Sequence, residues 1–123
     1  MIGSPPELPD QTVERLAAVT LASAGVTDGH LAIEFVAPER IAELNSQHRG
    51  VAGPTDVLSF PLDGAGDVVG ERELGDVVIC PEHTTDLREA VVHGILHLVG
   101  MDHESDDGEM LALQAEIVSW TTL

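Results

Sequence analysis

The sequence predicts an α+β fold, a small mixed β-sheet covered by about four helices. Three observations carry this. Apolar residues recur at helical spacing in some segments and bunch into short runs in others, in the order helix, strand, helix, strand, strand, helix, helix. Proline or glycine closes most of these segments. The apolar share, 43%, is that of a globular chain, so a packed core is expected rather than disorder. A length of 123 residues fits one domain, residues 1–123, with a Pro-rich flexible lead-in over 1–9.

Asp10 suits the N-cap of a first helix over residues 11–24, where Val13, Leu16, Ala17 and Leu21 have helical spacing. Gly25 suits its end. Residues 31–36 are a short apolar run and read as a strand. Pro38 belongs in the first turn of a second helix, which carries Ile41 and Leu44 inward and runs to about His48. Residues 51–55 form a Gly/Pro loop. A strand over 56–60 stops at Pro61, and 63–73 read as a polar loop. Residues 75–80, with Val77, Val78 and Ile79, give the strongest strand signal and stop at Pro81. Asp86 and Glu89 resemble a capping box for a helix that runs to about Val99, with Gly100 ending it. A last helix starts near Ser105, with Asp106 and Asp107 at the positive end of its dipole. Met110, Leu111, Gln114, Ile117 and Val118 share spacing along it.

The aromatic residues are Phe35, Phe60 and Trp120, so Leu, Val, Ile and Ala must build the core. Cys80 is the only cysteine, which rules out an internal disulfide and reads as a small buried hydrophobe. No apolar run approaches the ~20 residues of a membrane span, so no membrane partner is expected. The N-terminus lacks the basic and apolar regions of a secretory signal, and the cytoplasm is the default compartment. Acidic residues outnumber basic ones 22 to 5, for a net charge of −17, and every basic residue is Arg. Such a field repels nucleic acid at long range and argues against a broad nucleic-acid-coating surface. It leaves room for a local site where a metal and one Arg set the potential.

The informative stretch is His93-Gly-Ile-Leu-His97-Leu-Val-Gly100-Met-Asp-His103. Four residues apart on a helix, His93 and His97 stack on one face and suit one metal ion. Gly100 can adopt the left-handed conformation that reverses the chain and returns His103 towards that face. Three neutral imidazoles with an open fourth position describe a catalytic zinc site better than a structural one. The helix is otherwise apolar, and buried histidines without partners are costly; one divalent metal, best read as Zn, satisfies both. His30, His48 and His83 fall in turns or helix ends and read as surface residues.

The spacing matches that of the metzincin metalloproteases, whose zinc helix this segment resembles. Those enzymes carry a Glu general base directly after the first His, where this chain has Gly94. A metalloprotease-like hydrolase is therefore an alternative, not the leading reading.

Residues 93–103 also match the signature H-G-x-L-H-L-x-G-x-D-H, including Gly94, Leu96, Leu98 and Asp102. Leu44-Asn-Ser-Gln-His-Arg49-Gly, then Pro54-Thr-Asp-Val-Leu-Ser-Phe-Pro61, matches L-N-x-x-x-R-G followed by P-T-D-V-L-S-F-P. Residues 74–81 match L-G-D-I-V-I-C-P. On these segments the chain resembles the YbeY family of bacterial endoribonucleases and ribosomal RNA maturation factors, over roughly residues 31–118. The resemblance implies a metal-dependent endoribonuclease acting on single-stranded RNA rather than DNA. It also implies a role in maturing the 3′ end of 16S ribosomal RNA and in ribosome quality control. His93, His97 and His103 would be the metal ligands, and Arg49 matches the family's functional arginine. Asp102 and Glu104 flank His103 and could hold a ligand imidazole by its other nitrogen or orient water, and Asp102 could equally cap the turn before the last helix. Arg49 offers a fork that matches a phosphate. A further alternative is a non-enzymatic ribosome assembly factor, with a structural metal and an acidic surface facing basic ribosomal proteins.

Overall fold

The computed structural model describes residues 8–26, 29–61, 73–101 and 108–121. These form α1 (Asp10–Ser23), β1 (His30–Phe35), α2 (Pro38–Arg49), β2 (Val57–Pro61), β3 (Glu73–Ile79), a 3-10 turn (Pro81–His83), α3 (Leu87–Leu98) and α4 (Glu109–Trp120). The α+β class and the order of helices and strands are those the sequence predicts. No helix among the described residues is long and apolar enough to cross a membrane.

The sheet is built around its most apolar strand. Val77, Val78, Ile79 and Cys80 are all buried, so this stretch is covered on both faces and must lie in the middle. The strand order is β1-β3-β2, with β1 parallel and β2 antiparallel to β3. Val77 and Ile79 face the larger core with Ile33, Phe35, Leu16, Val92 and Ile95, where α3 packs on the sheet and α1 and α4 pack on α3. Val78 and Cys80 face the other side, against Ile41 of α2 and Leu58 of β2. Cys80 is the buried hydrophobe expected of it. Leu8 is buried in the larger core.

Some boundaries move for local reasons. Pro9, in an extended conformation, takes the N-cap of α1, and Asp10 becomes the first helical residue, where its charge still suits the dipole. The α2 helix extends through Arg49 because the residue that ends it is Gly50, at φ 67°. The β3 strand starts at Glu73, inside the segment read as loop, because pairing with β1 reaches His30. The α4 helix starts at Glu109, not near Ser105, because Gly108 has φ 98° and cannot belong to a right-handed helix. Asp106, Asp107 and nearly all of the 63–73 loop lie outside the described residues. The α3 start is as expected: the Asp86 carboxylate accepts from the backbone N–H of Arg88 and Glu89.

Two glycines let the layers meet. A Cβ on Gly94 would lie 2.5 Å from Val77 Cγ1 and 3.1 Å from Val57 Cγ2, so α3 rests directly on β3 and β2. A Cβ on Gly75 would lie 2.2 Å from the carbonyl oxygen of Phe60. With α3 on one face and α2 on the other, the edge strand β2 runs between their C-terminal ends.

Candidate active site

From Ala90 to Leu98 every residue of α3 is buried except His93 and His97, which are half-buried. The core helix thus opens to solvent through two imidazoles. Their ring centroids are 4.6 Å apart, the rings cross at 80°, and their Nε2 atoms approach to 3.1 Å.

Both rings are held by their other nitrogen. His97 Nδ1 lies 3.0 Å from the carbonyl oxygen of Met101. A carbonyl can only accept, so Nδ1 carries the proton and Nε2 the lone pair. His93 Nδ1 lies 2.7 Å from Oε1 of Gln114, which selects the same tautomer. The Met101 carbonyl is placed by the helix end. Gly100 has φ 100°, its N–H donates to His97 O, and the N–H of Met101 donates to Leu96 O. This is the left-handed helix stop the sequence predicts at Gly100, and it aims a carbonyl back at the preceding turn.

His93, His97, Gly100 and Met101 form one wall of a cleft of about 640 Å³. Its floor is β2 with Thr55 and Asp56, and its far wall is the end of α2, His48 and Arg49. Ser59 ties floor to wall, its hydroxyl donating to Gly94 O at 2.8 Å. Asp56 Oδ1 accepts from the N–H of Val57 at 2.8 Å and from the Thr55 hydroxyl at 3.2 Å. Arg49 is exposed at the end of its helix and forms no ion pair among the described residues. The loop after it is pinned by Asn45, whose Nδ2 donates to Gly53 O at 2.9 Å.

The structure therefore brings Arg49, His93 and His97 to one cleft. His103, Asp102 and Glu104 lie outside the described residues, and no three ligating side chains converge among the described ones. Sequence reasoning missed Gln114, Asp56 and the Phe60–His48 pair. Gln114 had a signal: a polar residue at an apolar position of α4 needs a buried partner. His30, His48 and His83 are exposed as expected, but His48 lines the cleft and packs edge-on with Phe60, centroids 4.8 Å apart.

Two lone pairs converging at 3.1 Å fit a shared cation. Bonds of ~2.0–2.1 Å meeting at a tetrahedral angle put two donor nitrogens ~3.3 Å apart. The class of protein so defined is a small α+β protein with a histidine-lined cleft, at the end of a core helix, faced by an arginine. The family described as Endoribonuclease YbeY matches residues 6–121, and the chain belongs to this YbeY family. Endoribonuclease YbeY of Micrococcus luteus is 36% identical over 132 residues, covering 92% of this chain and 84% of that protein. Endoribonuclease YbeY of Bifidobacterium longum is 41% identical over 110 residues, covering 75% of this chain and 60% of that protein. The chain thus spans about three fifths of the length of the Bifidobacterium relatives it matches. A solution structure of a Thermotoga maritima protein is similar with a TM-score of 0.58 at 31% identity, covering 98% of this chain and 86% of that one.

Proposed function

We propose that this chain is a metal-dependent endoribonuclease that cuts single-stranded RNA in the cleft between α2 and α3. Its work would be maturation of the 16S ribosomal RNA 3′ end and ribosome quality control in the cytoplasm, in contact with the ribosome or its proteins. One observation carries the chemical part: Arg49 and the converging Nε2 atoms of His93 and His97 face one cleft. In a chain of net charge −17, that is where an anionic phosphodiester meets a positive group. The names of the relatives support RNA as the substrate.

His93, His97 and His103 would hold one zinc ion. Bound there, zinc would supply Lewis acidity towards a phosphoryl oxygen and towards water. Gln114 and the Met101 carbonyl hold the first two rings in the ligating tautomer. Arg49 would clamp a phosphate oxygen pair through its planar fork and stabilise the charge that grows there. Among the described lining residues Asp56 is the only carboxylate. Position 94 supplies none, and its closeness to Val77 leaves no space for the glutamate of a peptidase.

The test is cleavage of a single-stranded RNA by zinc-loaded protein. Turnover is expected, and it should stop with a chelator and in His97→Ala. Cleavage that persists in both belongs to a contaminant and refutes the reading. A chain that holds one zinc and cuts nothing supports the assembly-factor alternative instead.

A further inference from the structure

We infer that His48 and Phe60 form a stacking subsite for one unpaired nucleobase beside Arg49; this rests on the nuclease reading and names how its substrate is gripped. The rings meet edge to face, 4.8 Å apart at 64°, and both line the cleft that holds Arg49 and the histidine pair. Phe60 projects from β2 to the side away from α3, where it packs on the cluster of Ile41, Leu58, Val78 and Cys80. Phe60 is therefore anchored on the core while it stays half-buried at the cleft. His48 is exposed and directly precedes Arg49 at the last turn of α2. In an edge-to-face pair, the ring that offers its edge keeps its own flat faces clear of the other.

The charge of the chain favours such a subsite. Arg49 is the only Arg or Lys among the described lining residues, and the chain carries a net charge of −17, so long-range attraction cannot concentrate a polyanion here. Stacking does not depend on net charge, and any base offers a flat face. The base that stacks must be unpaired, and its neighbouring phosphate then lies within reach of the residue next to His48. The position matters because Phe60 is the only Phe, Tyr or Trp among the described lining residues.

The experiment pairs protein variants with abasic substrates. A single-stranded RNA is prepared intact and with each nucleotide in turn made abasic. For the parent protein, one abasic position near the cut should raise KM roughly tenfold with kcat within about twofold, the size expected for one lost stack. Phe60→Leu, which keeps an apolar side chain on the cluster of Ile41, Leu58, Val78 and Cys80, should raise KM on intact RNA by a similar factor and show no further abasic penalty. His48→Ala, at an exposed position, should raise KM at least threefold, on the order of a partial stack. Anisotropy with 2′-O-methyl strands reads the same contrast as affinity, without turnover. An abasic penalty of equal size in parent, Phe60→Leu and His48→Ala overturns the subsite, as does wild-type KM in His48→Ala. Parent protein that discriminates by affinity but cuts nothing supports the subsite and refutes the nuclease reading. Parent protein that cuts without discriminating refutes the subsite alone.

Discussion

Gln114 Oε1 lies 2.7 Å from Nδ1 of His93, so a residue on α4 sets the tautomer and tilt of a ring on α3. Gln114 is buried in the seam between these helices. Gln114→Leu keeps size and burial but removes the acceptor. The His93 N–H then loses its bond to Gln114, and stability should fall by about 0.5–1.5 kcal/mol. Zinc affinity should fall roughly 10–100-fold, the usual effect of losing a group that orients a ligand. Gln114→Glu retains an acceptor and should recover most of that affinity. Competition with a zinc-chelating dye reads all three proteins. Equal affinity in the Leu variant and the parent would disconnect α4 from the site.

Gly94 is a packing residue, and enlarging it should cost stability directly. The added methyl of Gly94→Ala would stand 2.5 Å from Val77 Cγ1, so either α3 lifts off the sheet or Val77 shifts. Overpacking of this kind costs about 1–3 kcal/mol. Urea denaturation is expected to show a lower midpoint at unchanged slope. The Ser59 hydroxyl bond to Gly94 O would lengthen if the helix lifts. A midpoint equal to that of the parent would mean the contact is looser than described.

The sequence showed what local patterns can show. A strand buried on both faces has to be apolar at consecutive positions, so Val77, Val78 and Ile79 announced the sheet centre. The four-residue spacing of His93 and His97 put them on one helix face without any tertiary knowledge. The glycine stop at position 100 was equally local. Pairing partners are another matter. The order β1-β3-β2 joins segments far apart in the chain, and no periodicity encodes it. Without the edge position of β2, nothing places Phe60 beside His48, and His48 reads as surface. Gln114 has the spacing of a core residue, and its bond spans 21 positions. Resemblance and the scarcity of cations single out Arg49, and the cleft it shares with the histidines is tertiary information. The acidic run before α4 reads as a first turn, whereas Gly108 at φ 98° sets the start of the helix at Glu109.

Arg49 should be required for cleavage and irrelevant to metal content. It stands across the cleft from the histidine pair, at the end of a different helix. Arg49→Lys keeps the charge but loses the planar fork, so a roughly 10–100-fold drop in kcat/KM is expected from a lost charge-assisted bond. Arg49→Glu should abolish cleavage while zinc stays at one ion per chain by elemental analysis. Unchanged kcat/KM in the Lys variant would leave the arginine as a point charge. Unchanged activity in the Glu variant would remove it from the reaction.

Gly100 joins backbone conformation to the site. Its φ of 100° lies where an L side chain is strained, so Gly100→Ala should destabilise the fold by about 1–2 kcal/mol. Nothing lies within 4 Å of an added Cβ, so the cost is conformational and not a clash. The structural consequence is specific. If the variant relaxes to negative φ, the Met101 N–H loses Leu96 O and the Met101 carbonyl turns away from His97 Nδ1. Zinc affinity should then fall together with stability. Gly100→Asn tolerates positive φ better and should lie between the parent and the Ala variant on both scales. A cobalt-substituted protein offers a visible-band readout of ligand geometry. Its spectrum should change in Gly100→Ala and stay close to the parent's in Gly100→Asn. Loss of stability with an unaltered cobalt spectrum and unaltered zinc affinity would show that the turn serves the fold without orienting His97.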